Sequence, residues 1–183
     1  MNNNFTYSLN EDDYLNYQLF AASQSKNIRR KRIRNRFLPA IFFVVLGLFP
    51  RFDFTTNFTQ IYILTGVLWV FFYPVWEKRL YYNHYKKHIR ENYKNNFDKN
   101  VALIITENEI LIKDNNTESK INLQELEEIN ELPKAIYLKL KSSHSLILPK
   151  NKIDINVESK NFLKELSDRY SVNYNEFPDW KWK

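Results

Sequence analysis

The chain has 183 residues, 44% of them apolar and 26% charged, with 27 Lys and Arg against 21 Asp and Glu, no cysteine and two glycines. The lack of cysteine excludes disulfides, thiolate metal sites and cysteine nucleophiles, and with both glycines inside one apolar stretch no glycine-rich phosphate loop exists. The roughly 140 residues outside that stretch suffice for one compact domain with helical extensions, not for two full domains.

In chain order, residues 1–36 open with Phe5-Thr6-Tyr7-Ser8-Leu9, whose alternation predicts a short strand. Asn10 follows as a candidate helix N-cap, with Glu11, Asp12 and Asp13 where the positive helix end favours carboxylates. Tyr14, Leu15, Leu19, Phe20 and Ala22 give this helix an apolar face that needs a partner, either the soluble domain or the membrane interface. The segment ends in Lys26, Arg29, Arg30, Lys31, Arg32, Arg34 and Arg36, seven cations in eleven residues. Directly before an apolar run, they read as a topology signal in contact with anionic headgroups, worth about 1 kcal/mol per basic residue near the surface. A nucleic-acid patch is disfavoured because no aromatic stacking platform accompanies them, while a specific headgroup pocket stays open.

Residues 37–76 form an apolar hairpin. Phe37 to Pro50 and Ile61 to Trp76 are uncharged runs of fourteen and sixteen residues. At ~1.5 Å per residue the first reaches only about 21 Å against a hydrocarbon core of ~30 Å, so the expected spans extend over 37–54 and 58–76, with Arg51 and Asp53 at headgroup level. Both runs are apolar all round rather than on one stripe, which favours the bilayer over a pair of buried helices. Residues 1–36 and 77–100 each carry seven basic against three acidic groups, 37–76 one of each, and 101–183 twelve against fourteen. By the positive-inside bias both termini face the cytoplasm of a multi-pass protein of the cell (inner) membrane, the first span serving as an uncleaved insertion signal.

Residues 77–100 read as a cytoplasmic continuation of the second helix, with Tyr81, Tyr82, Tyr85, Ile89 and Tyr93 near one stripe and Lys78 and Arg79 joining the expected lipid-facing cations. His84 and His88 have a metal-capable i, i+4 spacing, but their neighbours are cationic and no third ligand is evident. From 101 to 170 the texture changes to short strands: Val101–Ile105, Ile110–Ile112, Ser119–Leu123, Leu126–Ile129, Ala135–Leu140 and Ser145–Leu148, joined by short turns that predict antiparallel meanders. Phe162, Leu163, Leu166 and Tyr170 then mark an amphipathic helix that caps the sheet. The aromatic tail, 171–183, with Trp180 and Trp182 between lysines, fits an interfacial anchor, an added strand or a partner-binding segment.

Several marks together resemble the YcxB-like bacterial membrane proteins: Leu9-Asn10-Glu11-Asp12-Asp13-Tyr14-Leu15, the basic stretch before a hairpin, Ile104-Ile105-Thr106-Glu107-Asn108-Glu109-Ile110, Ala135-Ile136-Tyr137-Leu138 and Leu146-Ile147-Leu148-Pro149-Lys150, then Phe162-Leu163. The resemblance covers nearly the whole chain. It implies a cytoplasmic, pleckstrin-homology-like C-terminal domain and no established activity.

No catalytic constellation assembles. Glu127, Glu128 and Glu131 read as a solvated strand edge, alternation splitting the first two, and Ser142, Ser143, His144 and Ser145 sit in one turn, unable to form an oriented triad. The expectation is therefore an α+β membrane protein, a two-helix transmembrane hairpin with long cytoplasmic helical extensions and a C-terminal antiparallel sheet domain. It would act as a membrane-anchored binding or adaptor module without cofactor, metal or catalysis. Its partners would be anionic lipid and an unidentified protein, a second copy of the chain being allowed and nucleic acid not expected. The alternative is a subunit of a transport or envelope-maintenance complex, joined through the hairpin with Gly47 and Gly66 as close-approach points.

Overall fold

A computed structural model describes residues 3–48, 57–114, 117–153 and 157–183. Its elements are β1 (Asn3–Ser8), α1 (Glu11–Gln24), α2 (Lys26–Gly47), α3 (Asn57–Tyr93), β2 (Asn100–Ile105), β3 (Glu109–Lys113), β4 (Glu118–Asn122), β5 (Leu126–Glu131), β6 (Ala135–Leu140), β7 (Ser145–Pro149), α4 (Val157–Arg169) and β8 (Asn173–Glu176). The mixed helix and antiparallel-sheet fold expected from the pattern is present. The chain divides into two compact units, Met1–Tyr17 with Ile89–Lys181, and Gln18–His88 with Trp182–Lys183.

In the first unit the strands form two four-stranded sheets, ordered β1-β2-β3-β4 and β7-β6-β5-β8. Both meanders run antiparallel as the short connections predict, and β8 adds a parallel edge strand to β5. Sequence pattern did not place β1 beside β2, where Phe5 opposes Leu103 and Tyr7 opposes Val101. Side chains of both sheets share one core: Phe5, Leu103 and Ile110 from the first, Ile129, Leu138 and Leu148 from the second, closed by Leu163 and Leu166 of α4. Residues 123–125 form a 3-10 turn rather than the end of a strand, and a bulge follows between Leu126 and Glu128.

With no glycine in this unit, positive φ falls on Asp98, Ser143 and Ser171. Ser171 ends α4 in a Schellman arrangement: Val172 N donates to Ser167 O at 2.9 Å and Ser171 N to Asp168 O at 3.2 Å. At its start α1 carries the N-cap foreseen at Asn10, and the structure adds that it is reciprocal: Asn10 Oδ1 accepts from Asp13 N while Asn10 N donates to Asp13 Oδ2, both at 3.0 Å.

In the second unit Ser25 Oγ accepts from Ile28 N and restarts the chain as α2, which runs unbroken from the basic stretch into the apolar one. Likewise α3 joins the second apolar run to the tyrosine-lined extension in one helix of 37 residues. Among the described residues only α3 is long and apolar enough to cross a membrane, by length and composition. The apolar part of α2 ends at Gly47, about 16 Å from Phe37, and residues 49–54 of the expected first span lie outside the described residues, as does most of the loop that links the runs.

Candidate functional site

The two apolar helices are held together by a pairing that proline creates. Pro39 lies inside α2 and Pro74 inside α3. Neither has an N–H, so the carbonyls four residues earlier, Asn35 and Val70, lose their helical donors. Each helix supplies the missing donor to the other. Arg36 Nε donates to Val70 O at 3.0 Å, and Trp69 Nε1 makes a longer contact to Asn35 O at 3.4 Å. Deeper in the pair the glycines permit close approach: a Cβ on Gly66 would lie 3.0 Å from Ala40 O, and one on Gly47 3.3 Å from Thr59 O.

At the charged end of this pair stands Glu77, its side chain only 4% exposed. A carboxylate removed from water needs compensation, and two donors provide it: Arg32 Nε at 3.0 Å and Tyr73 OH at 3.3 Å. Arg32 also donates through Nη2 to Lys183 O at 2.9 Å and lies over the Trp182 ring at 5.2 Å. Trp182 Nε1 donates in turn to Lys78 O at 3.3 Å. The tail thus takes one of its foreseen roles, Asn173–Glu176 as an added strand, while Trp182 packs on the chain's own helices, which the sequence reading did not foresee.

Of the nine basic residues singled out in the sequence, Lys26, Arg29, Arg30, Lys31, Arg34, Lys78 and Arg79 are exposed, whereas Arg32 and Arg36 turn toward α3. Arg29, Arg32 and Arg36 line a cavity of about 220 Å³ with Phe37, Pro74 and Glu77. Beyond the cations the apolar side chains turn outward, Leu38 at 59% exposure, Phe71 at 69% and Phe72 at 68% among them. His84 and His88 are exposed, and among the described residues no three His, Cys, Asp or Glu side chains gather as a metal site.

The sheet unit holds a second polar centre that pattern reading missed. Glu131, expected on a solvated edge, is buried at the end of β5, where Lys150 and Lys160 each approach Oε1 at 2.6 Å and Tyr174 OH donates to Oε2 at 2.7 Å. Burial alone would raise its pKa, yet the bonds from Lys150, Lys160 and Tyr174 prevail and hold it at about 2. Burial, then the bond to Glu131, pushes the Tyr174 hydroxyl up. Shared parity with buried Ile129 was the available signal. Glu127 and Glu128, expected to part, both reach Lys139, at 2.9 and 3.4 Å, because the bulge breaks the alternation between them. The turn at 142–145 places Ser142 Oγ 3.3 Å from His144 Nδ1 in solvent. A cavity of about 320 Å³ opens where Asn10, Asp12, Asp13 and Asn16 meet Lys134 and Asn151. Within it Asp13 is engaged by Lys152 Nζ at 2.7 Å.

These features define a small α+β domain joined to a pair of apolar helices, with polar centres in both units. The family model described as YcxB-like protein matches residues 105–167, from the end of β2 into α4, so the resemblance seen in the sequence holds over that segment. No curated protein matches the chain.

Proposed function

We propose that the chain is a two-span protein of the cell membrane with both ends in the cytoplasm. Its sheet unit, a pleckstrin-homology-like domain closed by α4, acts as a membrane-held binding or adaptor module without catalysis. The observation that carries this is the pairing of β1 with β2. Those strands flank α2 and α3 in sequence, and a paired sheet cannot straddle a bilayer, so any crossing by α3 requires a return crossing. The outward-turned Leu38, Phe71 and Phe72 support a lipid surround, since monomers in water rarely expose contiguous apolar patches beyond a few hundred Å². The polar cavity lined by Asn16 and Asn151 is where the reading puts the partner.

The alternative, a complex subunit joined through its helices, draws on an apolar groove of about 310 Å³ on α3 lined by Leu68, Trp69, Phe72 and Trp76. One experiment separates the two: a photo-crosslinking residue placed in the full chain at Asn151 or at Phe72, in cells. The module reading predicts protein adducts from position 151 and lipid adducts from 72. Protein adducts from 72 alone would overturn it in favour of the alternative. Because the chain lacks cysteine, single cysteines at Ser142 and Gln60 test topology with an impermeant maleimide. Labelling of Ser142→Cys from outside the cell refutes the proposed orientation.

A further inference from the structure

We propose that the cavity between Arg29, Arg32, Arg36 and Pro74 is a phosphate site for the headgroup of an anionic phospholipid. The inference rests on the membrane reading above and gives one part of it a specific ligand.

Arg29, Arg32 and Arg36 stand at i, i+3 and i+7, one face of α2, and all three line the cavity with Glu77. Three cations meet one carboxylate there, and that carboxylate is already engaged by Arg32 and Tyr73. The excess positive charge suits a phosphodiester. Two of the arginines are held in place by the chain itself: Arg32 through Nε to Glu77 and Nη2 to Lys183 O, and Arg36 through Nε to the carbonyl that Pro74 leaves free. Each guanidinium has five N–H donors, and among the described residues Arg32 Nη1 and both Nη groups of Arg36 are left for a ligand. Planar forks fixed in this way match phosphate geometry and lose little further freedom on binding.

Position and size select a lipid. Ile33 and Phe37, both exposed, sit where α2 passes from charged to apolar, and Leu38, Ile41 and Phe42 continue outward-facing along the helix. About 220 Å³ is below the ~300–1,000 Å³ of pockets that enclose a whole small ligand, so the site takes a headgroup while the acyl chains lie against the apolar face outside it.

The test is native mass spectrometry of the full chain in mild detergent, titrated with short-chain phosphatidylglycerol, phosphatidylcholine or inorganic phosphate. Arg29→Gln is compared with Arg34→Gln, an equal charge change about 140° round the helix from position 29. The expected result is retention of phosphatidylglycerol over phosphatidylcholine, with Arg29→Gln weakening it at least about tenfold more than Arg34→Gln. Equal losses in the two variants overturn the site in favour of diffuse attraction, as does no loss in Arg29→Gln. Binding of inorganic phosphate without phosphatidylglycerol overturns the lipid assignment. Alkaline carbonate extraction of the same cells separates the two levels. A chain that stays in the membrane without binding lipid sinks only this site, whereas a chain that is released sinks the membrane reading.

Discussion

Neutralising Glu131 tests whether the ion cluster beneath β5 holds the sheet unit together. Its carboxylate binds Lys150 in the turn directly after β7, Lys160 of α4 and Tyr174 of β8, so one side chain ties three parts of the unit to β5. The pKa falls from 4.5 to about 2 against the opposing effect of burial. At 1.36 kcal/mol per unit this corresponds to about 3 kcal/mol, and screening at Lys160, 41% exposed, reduces it to about 2 kcal/mol. A depressed carboxylate stabilises the fold fully above its unfolded pKa near 4.5, and the contribution is lost as pH falls from there toward about 2.

Glu131→Gln keeps the shape and removes the charge. At pH 7 it should lower stability by about 2 kcal/mol, a shift of roughly 1 M in the urea midpoint for a unit of this size. Pulse proteolysis of the full chain in urea and mild detergent reads that midpoint at pH 7, 5, 4 and 3. The gap between the two proteins should stay constant down to about pH 5 and then narrow, because protonation of Glu131 removes the same charge from the parent. A gap of unchanged size at pH 3 refutes the electrostatic account and assigns the loss to packing. Glu127→Gln, whose partner Lys139 is also substantially exposed, should shift stability by less than about 1 kcal/mol at any pH.

The proline pairing predicts a coupled double mutant. Arg36→Met should destabilise the helix pair by about 1–3 kcal/mol through the orphaned Val70 carbonyl, and much less in a Pro74→Ala background, where residue 74 regains its own N–H; a cycle in detergent unfolding with zero coupling refutes it. Gly66→Ala should cost roughly 1–3 kcal/mol, since its Cβ meets backbone at Ala40 O, read as loss of disulfide crosslinking between cysteines placed across α2 and α3. Ser171→Gly should raise the urea midpoint of the sheet unit by an amount worth about 0.5–1 kcal/mol, because it relieves a left-handed residue at the end of α4; a fall would show that Ser171 has another role.

The strands from β2 to β7 and α4 were legible because each pairs with a neighbour in sequence or shows an unbroken period, as Phe162, Leu163 and Leu166 do. What stayed illegible came from long-range pairing. The alternation at Phe5 and Tyr7 announces a strand but not that its partner begins at Asn100, beyond three helices. Glu131 looks like its acidic neighbours until the turn after β7, α4 and β8 bring it Lys150, Lys160 and Tyr174. The basic run was legible as charge, yet only the break at Pro74 explains why Arg36 turns inward while Arg34 faces solvent.

The small and ring-closed residues of the apolar helices bear on which surface is left for a partner. Gly47 and Gly66 are expected as close-approach points for a partner of the hairpin, but each already faces its neighbour within the chain, Gly47 toward Thr59 and Tyr62 and Gly66 toward Ala40 and Phe43. Pro39 and Pro74 are likewise committed, their freed carbonyls taken by Trp69 and Arg36. A helix with small residues outward would invite docking by backbone approach. The surface these helices turn outward is instead bulky: Leu38, Phe42, Phe71 and Phe72. On the membrane reading proposed above, such side chains would suit acyl chains at least as well as a partner's backbone, and recognition would then fall to the polar cavity of the sheet unit and to the arginine face of α2. A complex built through the helices would have to engage the α3 groove at Trp69 and Phe72 side chain to side chain, and the crosslinking residue at position 72 reports on that contact directly.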